Sequence, residues 1–289
     1  MKVTKAALPL LPLCQRLLPG RLAGLSLALL KATALEIAIL AGHLLLYPSG
    51  ITQERRSPLS PLPASEGGAA QLPVEAKPPV VLLHGFIDNR SVFVLLRRSL
   101  AQHGRQQIES LNYSPLTCDI RSAAELLGRH IEEICERTGS TRVDIVGHSL
   151  GGLIARYYVQ RLGGDARVRT LVTLGTPHAG TRVVPLASAH PIVRQMRPGS
   201  ELLEELTRPA PGCRTHFVSF WSDLDHLMDP LETACIDHAD LAAENVRVSG
   251  IGHLALPVHP AVATGIRQVL DTPRAGEETA GRAGGLTVA

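Results

Sequence analysis

Apolar and polar positions divide the chain into three parts. Residues 22–47 are almost all apolar, with Lys31 and Glu36 as the charged interruptions. Residues 48–78 are broken by proline, serine, glycine and alanine. From Pro79 onward, short apolar runs alternate with segments of helical spacing. Pro79–His84 is a fully apolar short run, the pattern of a parallel strand buried on both faces. Val92–Leu100 has helical spacing, and Ile108–Tyr113 reads as a second strand. Asp119 is placed to cap a helix over 121–137, with Ala124, Leu127, Ile131 and Ile134 on one face. Val143–Val146 is a third strand. A helix continues over Leu153–Arg161 and stops at Gly163-Gly164. Val168–Leu174, His216–Trp221 and Asn245–Ser249 read as three more strands, and Pro260–Leu270 as the last helix.

Strands alternating with helices imply right-handed crossovers and a mainly parallel sheet of about six strands covered on both faces. Residues 79–271 suffice for this as one compact α/β domain. No large cap domain fits. Between Thr181 and Pro211 two short amphipathic patterns, 183–196 and 200–206, form either a small flap or a roof on the sheet. The tail, 272–289, has a disordered composition.

The segment 22–47 is long enough to cross ~30 Å of hydrocarbon at ~1.5 Å per helical residue. Each internal charge costs ~2–3 kcal/mol at mid-bilayer, against many leucines that favour insertion. The preceding residues carry Lys2, Lys5, Arg16 and Arg21 and no acid, which places the N-terminus inside and the domain outside. Three readings stand: a membrane anchor in residues 1–47 with 48–78 as tether, a cleaved signal peptide that leaves the protein secreted, or a helix of the soluble domain.

Composition narrows the classes. Of 289 residues 45% are hydrophobic but only 3% aromatic, so Leu, Val and Ala fill the core. The formal charge of +3 comes without a basic stripe, so nucleic-acid binding has no support. No His/Cys/Asp/Glu spacing suggests a metal site, no cofactor motif occurs, and a monomer is expected.

Chemistry collects at the carboxyl ends of parallel strands. The first strand delivers His84-Gly85-Phe86, the third Gly147-His148-Ser149-Leu150-Gly151, the fifth Ser222-Asp223-Leu224-Asp225 and the sixth Gly250-Ile251-Gly252-His253. Gly-x-Ser-x-Gly between a strand and a helix is the pattern of a nucleophile elbow, where side chains at Gly147 or Gly151 would clash. Ser149 needs a base within hydrogen-bond reach. Among 12 histidines, His253 is preferred over His259 because it follows a strand at the same edge, and His148 is read as a packed neighbour. Asp225 is preferred over Asp223 and Asp229 as the acid that orients His253. The backbone N–H groups of Leu150 and Phe86 are the expected oxyanion donors. Of the cysteines, Cys213 and Cys235 flank the fifth strand, and a disulfide between them is expected; Cys118 and Cys135 sit at opposite ends of one helix and should not pair.

These segments together resemble the bacterial lipase/esterase branch of the α/β-hydrolase family, over about Pro79 to Leu270. The resemblance rests on Val-Val-Leu-Leu-His-Gly-Phe (80–86), Val-Gly-His-Ser-Leu-Gly-Gly (146–152), Leu-Gly-Thr-Pro-His-Ala-Gly-Thr (174–181), Ser-Asp-Leu-Asp (222–225) and Gly-Ile-Gly-His (250–253). Their order, Ser then Asp then His, is the order of that family. The Gly-Thr-Pro-His segment with the elbow is typical of triacylglycerol lipases. The resemblance implies cofactor-free hydrolysis of lipid acyl esters through an acyl-serine, with Ser149, Asp225 and His253 as triad and Phe86 and Leu150 at the oxyanion hole. An acyltransferase or thioesterase would use the same triad. A catalytically silent binding protein on this scaffold would be expected to lack a triad member, and none is missing.

Overall fold

The computed structural model describes residues 27–50, 77–86, 88–113, 119–183 and 189–273. The basic leader, Cys14, most of the Pro-rich tether, Cys118, part of the 181–211 segment and the tail lie outside these residues.

Six parallel strands form one sheet in the order β2-β1-β3-β4-β5-β6. They are β1 (Val80–Leu83), β2 (Ile108–Leu111), β3 (Val143–His148), β4 (Val168–Leu174), β5 (His216–Ser222) and β6 (Ala242–Val248). The helices are α1 (Leu27–Gly50), α2 (Val94–Gln102), α3 (Ile120–Thr138), α4 (Leu150–Arg161), α5 (Pro191–Gln195), α6 (Glu201–Thr207) and α7 (Pro260–Asp271). This is the expected fold class.

Each central strand is apolar throughout because its side chains alternate between two cores. Val81, Leu83, Ile145, Leu171 and Phe217 pack under α3, α4 and α6, with Ile131, Leu153 and Leu206. Val80, Leu82, Val146, Val172 and Val218 pack under α2 and α7, with Leu96, Leu100 and Ile266. The edge strand β6 is only half-covered, so its pattern is weaker.

Capping sets several boundaries. Asp119 accepts the Ser122 N–H at 2.7 Å, and α3 closes on Gly139 at φ 70°. Ser200 caps α6 by accepting the Leu203 N–H. The second strand ends at Leu111, two residues early, because Asn112 and Tyr113 bond elsewhere. Asn112 reaches Gly50 and the Arg90 N–H, while the Tyr113 hydroxyl donates to the His84 carbonyl.

At the amino end of the sheet Asp144, fully buried in β3, accepts two bonds from Arg169 (2.9 and 2.7 Å) and one from Arg105 (3.0 Å). Both arginines also bond the Leu270 carbonyl, which pins the end of α7.

α1 is long and apolar enough to cross a membrane by length and composition. One stripe of it lies against the domain. Ala32 and His43 are buried, Glu36 is partly so, and Ile39 packs on the core under α7. These positions lie four, three and four residues apart, a single helix face. The last carbonyls of α1 lack helical partners. They find them on the domain: Asn89 donates to Tyr47 (2.9 Å), Arg90 to Ser49 (3.1 Å) and Asn112 to Gly50 (2.7 Å). The opposite face leaves Leu30, Ile37, Leu44 and Leu45 exposed.

The expected Cys213–Cys235 disulfide is absent; both thiols are free, as is Cys135. The two cysteines flank β5 in sequence but not in space. Cys213 precedes the strand, and its thiol donates to Asp165 Oδ1 at 3.4 Å. The returning loop reaches β5 only at Ser219, whose hydroxyl donates to the Ala234 carbonyl at 2.6 Å. From His216 to Ser219 is ~10 Å of strand, beyond the span of a disulfide.

Candidate active site

Gly147, His148 and Ser149 carry the chain from β3 directly into α4. Ser149 has φ 52° and ψ −119°, and is the one non-glycine residue with positive φ among the described residues. Such a conformation stores ~1–3 kcal/mol and persists only when its surroundings hold it. They do. The Ser149 N–H donates to the Leu174 carbonyl at 2.9 Å. Its carbonyl accepts the Gly152 N–H at 3.0 Å and the Thr176 hydroxyl at 2.9 Å. A Cβ at Gly147 would stand 2.6 Å from the Gly152 nitrogen, and one at Gly151 would stand 2.3 Å from the Leu83 oxygen. The elbow therefore admits glycine alone at both places.

His253 and Asp225 meet between the β5 and β6 loops. Nδ1 of His253 is 2.7 Å from Asp225 Oδ2, and both groups are buried. The other Asp225 oxygen accepts the Leu227 N–H at 2.9 Å. Gly175, at φ 53°, makes room for this pair: a Cβ there would lie 2.8 Å from Asp225 Oδ2 and 3.0 Å from His253 Nδ1. Burial by itself would lower the His253 pKa. The charge and hydrogen bond of Asp225, aided by Glu36 and Asp88, outweigh it and raise the value.

The other candidates of the sequence fall elsewhere. Asp223 accepts from Arg247 and from the Gly250 N–H, holding the β5 and β6 loops together. Asp229 pairs with Arg182. His259 precedes α7 as its N-cap residue, with Pro260 at the first turn. His148 is buried, its ring 4.8 Å from that of His253 and its Nε2 3.2 Å from the His253 carbonyl.

Asp88 was not singled out by the sequence. It lies in the loop after β1, 3.7 Å from His148 Nδ1 and 3.5 Å from His43 Nδ1 on α1. Burial opposes its charge, but the two facing imidazoles hold it below the usual carboxylate range. Burial also keeps the His148 imidazole below its ordinary value, against the opposing pull of Asp88. No local pattern marks Asp88; only its packing against β3 and α1 does.

Ser149 and His253 open into a cavity of about 200 Å³. Its walls include Phe86, Pro177, Val183, Met196, Leu227 and Leu254. Gly85 brings the β1 loop alongside the elbow, where a Cβ would be 3.5 Å from the Ser149 Cβ. Phe86 follows Gly85 in the cavity wall, and Leu150 lies at the amino end of α4, where N–H groups lack partners. Among the described residues no group of three or more His, Cys, Asp or Glu side chains is arranged to hold a metal ion.

A six-stranded parallel sheet with a strained serine elbow and a His–Asp pair at its carboxyl edge defines a lipase/esterase-like α/β-hydrolase. The palmitoyl protein thioesterase family model matches residues 79–232, more than half the chain, and the protein belongs to that family. It is 30% identical over 111 residues to a triacylglycerol lipase of Pseudarthrobacter phenanthrenivorans, covering 36% of this chain and 34% of that protein. A triacylglycerol lipase of Burkholderia plantarii matches equally, over 30% of its length. The matched region spans about a third of these curated relatives. Among solved structures, mature Bacillus licheniformis lipase BlEst2 superposes with TM-score 0.59 at 17% identity, covering 71% of this chain and 96% of that one. Aspergillus fumigatus lipase B gives 0.52 at 18%, covering 60% and 45%. At such identities these structures speak for the fold.

Proposed function

We propose that the chain hydrolyses carboxylic esters of lipids through an acyl-serine intermediate. The observation that carries this is the buried 2.7 Å contact of His253 with Asp225, opening into the same apolar cavity as Ser149. Asp225 accepts the Nδ1 proton of His253, which leaves Nε2 free to take the Ser149 proton. The alkoxide attacks the acyl carbon, and His253 returns the proton to the departing alcohol. The N–H groups of Leu150 and Phe86 receive the oxyanion. Water then releases the acid by the same steps in reverse. The cavity suits an acyl chain better than a compact polar group.

The membrane-facing side of the reading rests on α1, whose outward leucines suit lipid. We take the domain to act outside the cell, held at a membrane by the outward face of this helix, which stays with the domain it packs against.

The family description favours a second reading, hydrolysis of acyl thioesters with the same triad. Assays with p-nitrophenyl esters from acetyl to palmitoyl, beside the matched acyl-coenzyme A thioesters, separate the two. Ser149→Ala is expected to abolish all turnover; retained turnover refutes the mechanism. Preference for acetyl moves the function from lipase to esterase. A higher kcat/KM on thioesters makes it a thioesterase.

A further inference from the structure

Glu36 is a carboxylate in the middle of an apolar helix, and the hydrolytic steps make no use of it. Its two oxygens bind the turn that follows the base: Oε2 accepts the Leu254 N–H and Oε1 the Ala255 N–H, each at 2.9 Å. From the other side the His253 carbonyl meets His148 Nε2 at 3.2 Å. The His253 carbonyl and the two N–H groups that follow it are therefore held by side chains from β3 and α1. Gly252 permits this approach, since a Cβ there would stand 2.5 Å from Glu36 Cδ. A second contact of the same helix face, His43 with Asp88, lies seven residues further on.

We propose that Glu36 is a positioning residue of the reaction, so that the apolar helix α1 completes the active site by fixing the turn that carries His253. The proposal rests on the serine-hydrolase reading and deepens it. Charge-assisted bonds from consecutive N–H groups to one carboxylate are strong and directional. They set the backbone from which the imidazole meets Asp225 beside the cavity that Ser149 lines, and small displacements of such a group are costly in rate. The charged and titratable groups around the imidazole are Asp225 at 2.7 Å, the His148 ring at 4.8 Å, and the carboxylates of Asp88 and Glu36. Both of these more distant carboxylates favour the imidazolium. Removing the Glu36 charge therefore lowers the pKa of the base. Because the base acts unprotonated, the acid limb of the rate profile moves to lower pH.

The test uses the full chain in detergent micelles with p-nitrophenyl butyrate. Glu36→Gln is expected to lower kcat roughly tenfold, to leave KM within about twofold, and to move the acid limb of kcat to lower pH. Glu36→Asp, which keeps the charge, restores the limb. Gly252→Ala displaces the carboxylate and moves kcat and limb the same way as Glu36→Gln. Ile37→Ala, on the exposed face, behaves as wild type. A Glu36→Gln profile that superposes on the wild type overturns the proposal. So does a lower kcat with an unmoved limb, which assigns Glu36 to folding alone. If Glu36→Gln does not fold, Gly252→Ala decides by the same two criteria. Ser149→Ala is run beside these: its activity would sink the underlying hydrolase reading, whereas a silent Ser149→Ala with an unshifted Glu36→Gln sinks only the role of Glu36.

Discussion

Asp225→Asn exchanges one oxygen for an NH2 group and should cost most of the activity. The Asp225 carboxylate is fully buried and accepts from His253 Nδ1 at 2.7 Å and from the Leu227 N–H at 2.9 Å. An amide of the same shape offers one acceptor and one donor. With its oxygen kept on Leu227, its NH2 faces Nδ1, and the ring must carry its proton on Nε2. That nitrogen then cannot take the serine proton. The flipped amide points its NH2 at the Leu227 N–H, leaving a buried donor unpaired at ~1–3 kcal/mol, so the wrong tautomer prevails. A full tautomer inversion corresponds to a loss of about 10⁴ in kcat, or ~5 kcal/mol at ~1.36 kcal/mol per decade. The residual acid limb moves to lower pH, since an anion that raised the His253 pKa is gone. Stability follows the same sign. A raised folded pKa contributes stability that is present in full below the unfolded value and is lost as pH rises through the folded one. The Tm gap between wild type and Asp225→Asn is therefore larger at about pH 5 than at about pH 9. The assay is kcat and kcat/KM against pH on p-nitrophenyl butyrate, with Asp223→Asn as control. Asp223 meets Arg247 and Gly250 at a half-exposed surface, and its variant should stay within about fivefold. Asp225→Asn within tenfold of wild type, or Asp223→Asn a thousandfold down, would refute the assignment of the acid.

Other perturbations follow from the same contacts. Gly151→Ala puts a Cβ 2.3 Å from the Leu83 carbonyl, so the elbow must open; soluble yield should fall, and any folded fraction should lose more than about a hundredfold in kcat. Asp144→Ala removes the buried acid shared by Arg169 and Arg105, leaving Arg105 only its half-exposed partner Asp271. It should cost about 3–5 kcal/mol in urea unfolding while the native fraction keeps its kcat, because the cluster lies at the far end of the sheet from Ser149. Leu44→Asn with Leu45→Asn polarises the exposed face of α1 and should reduce co-sedimentation with phosphatidylcholine vesicles severalfold, with kcat on a soluble ester unchanged.

What the sequence shows and what it hides divide along physical lines. Runs such as Val80–Leu83 announce buried parallel strands because both faces are covered, and the topology then sends every strand end to one edge. Ser149, Asp225 and His253 are legible as candidates because that edge also carries the Gly-x-Ser-x-Gly pattern. Strand and helix ends were less so, since Asn112 and Tyr113 leave β2 for partners far along the chain. The two cysteines mislead because adjacency to one strand in sequence is not adjacency in space; an extended strand separates what flanks it. Asp88 and Glu36 are hidden for a related reason, since each is defined by groups more than forty residues away. Glu36 is the instructive case. In an apolar run a lone carboxylate reads as a cost to be tolerated by a membrane span. Against the domain the same carboxylate is bound by two N–H groups, and the burden of its burial is offset. The distinguishing signal was present but faint: Ala32, Glu36, Ile39 and His43 share one face, and small or polar residues on one face of an otherwise leucine-rich helix mark the side that meets protein rather than lipid.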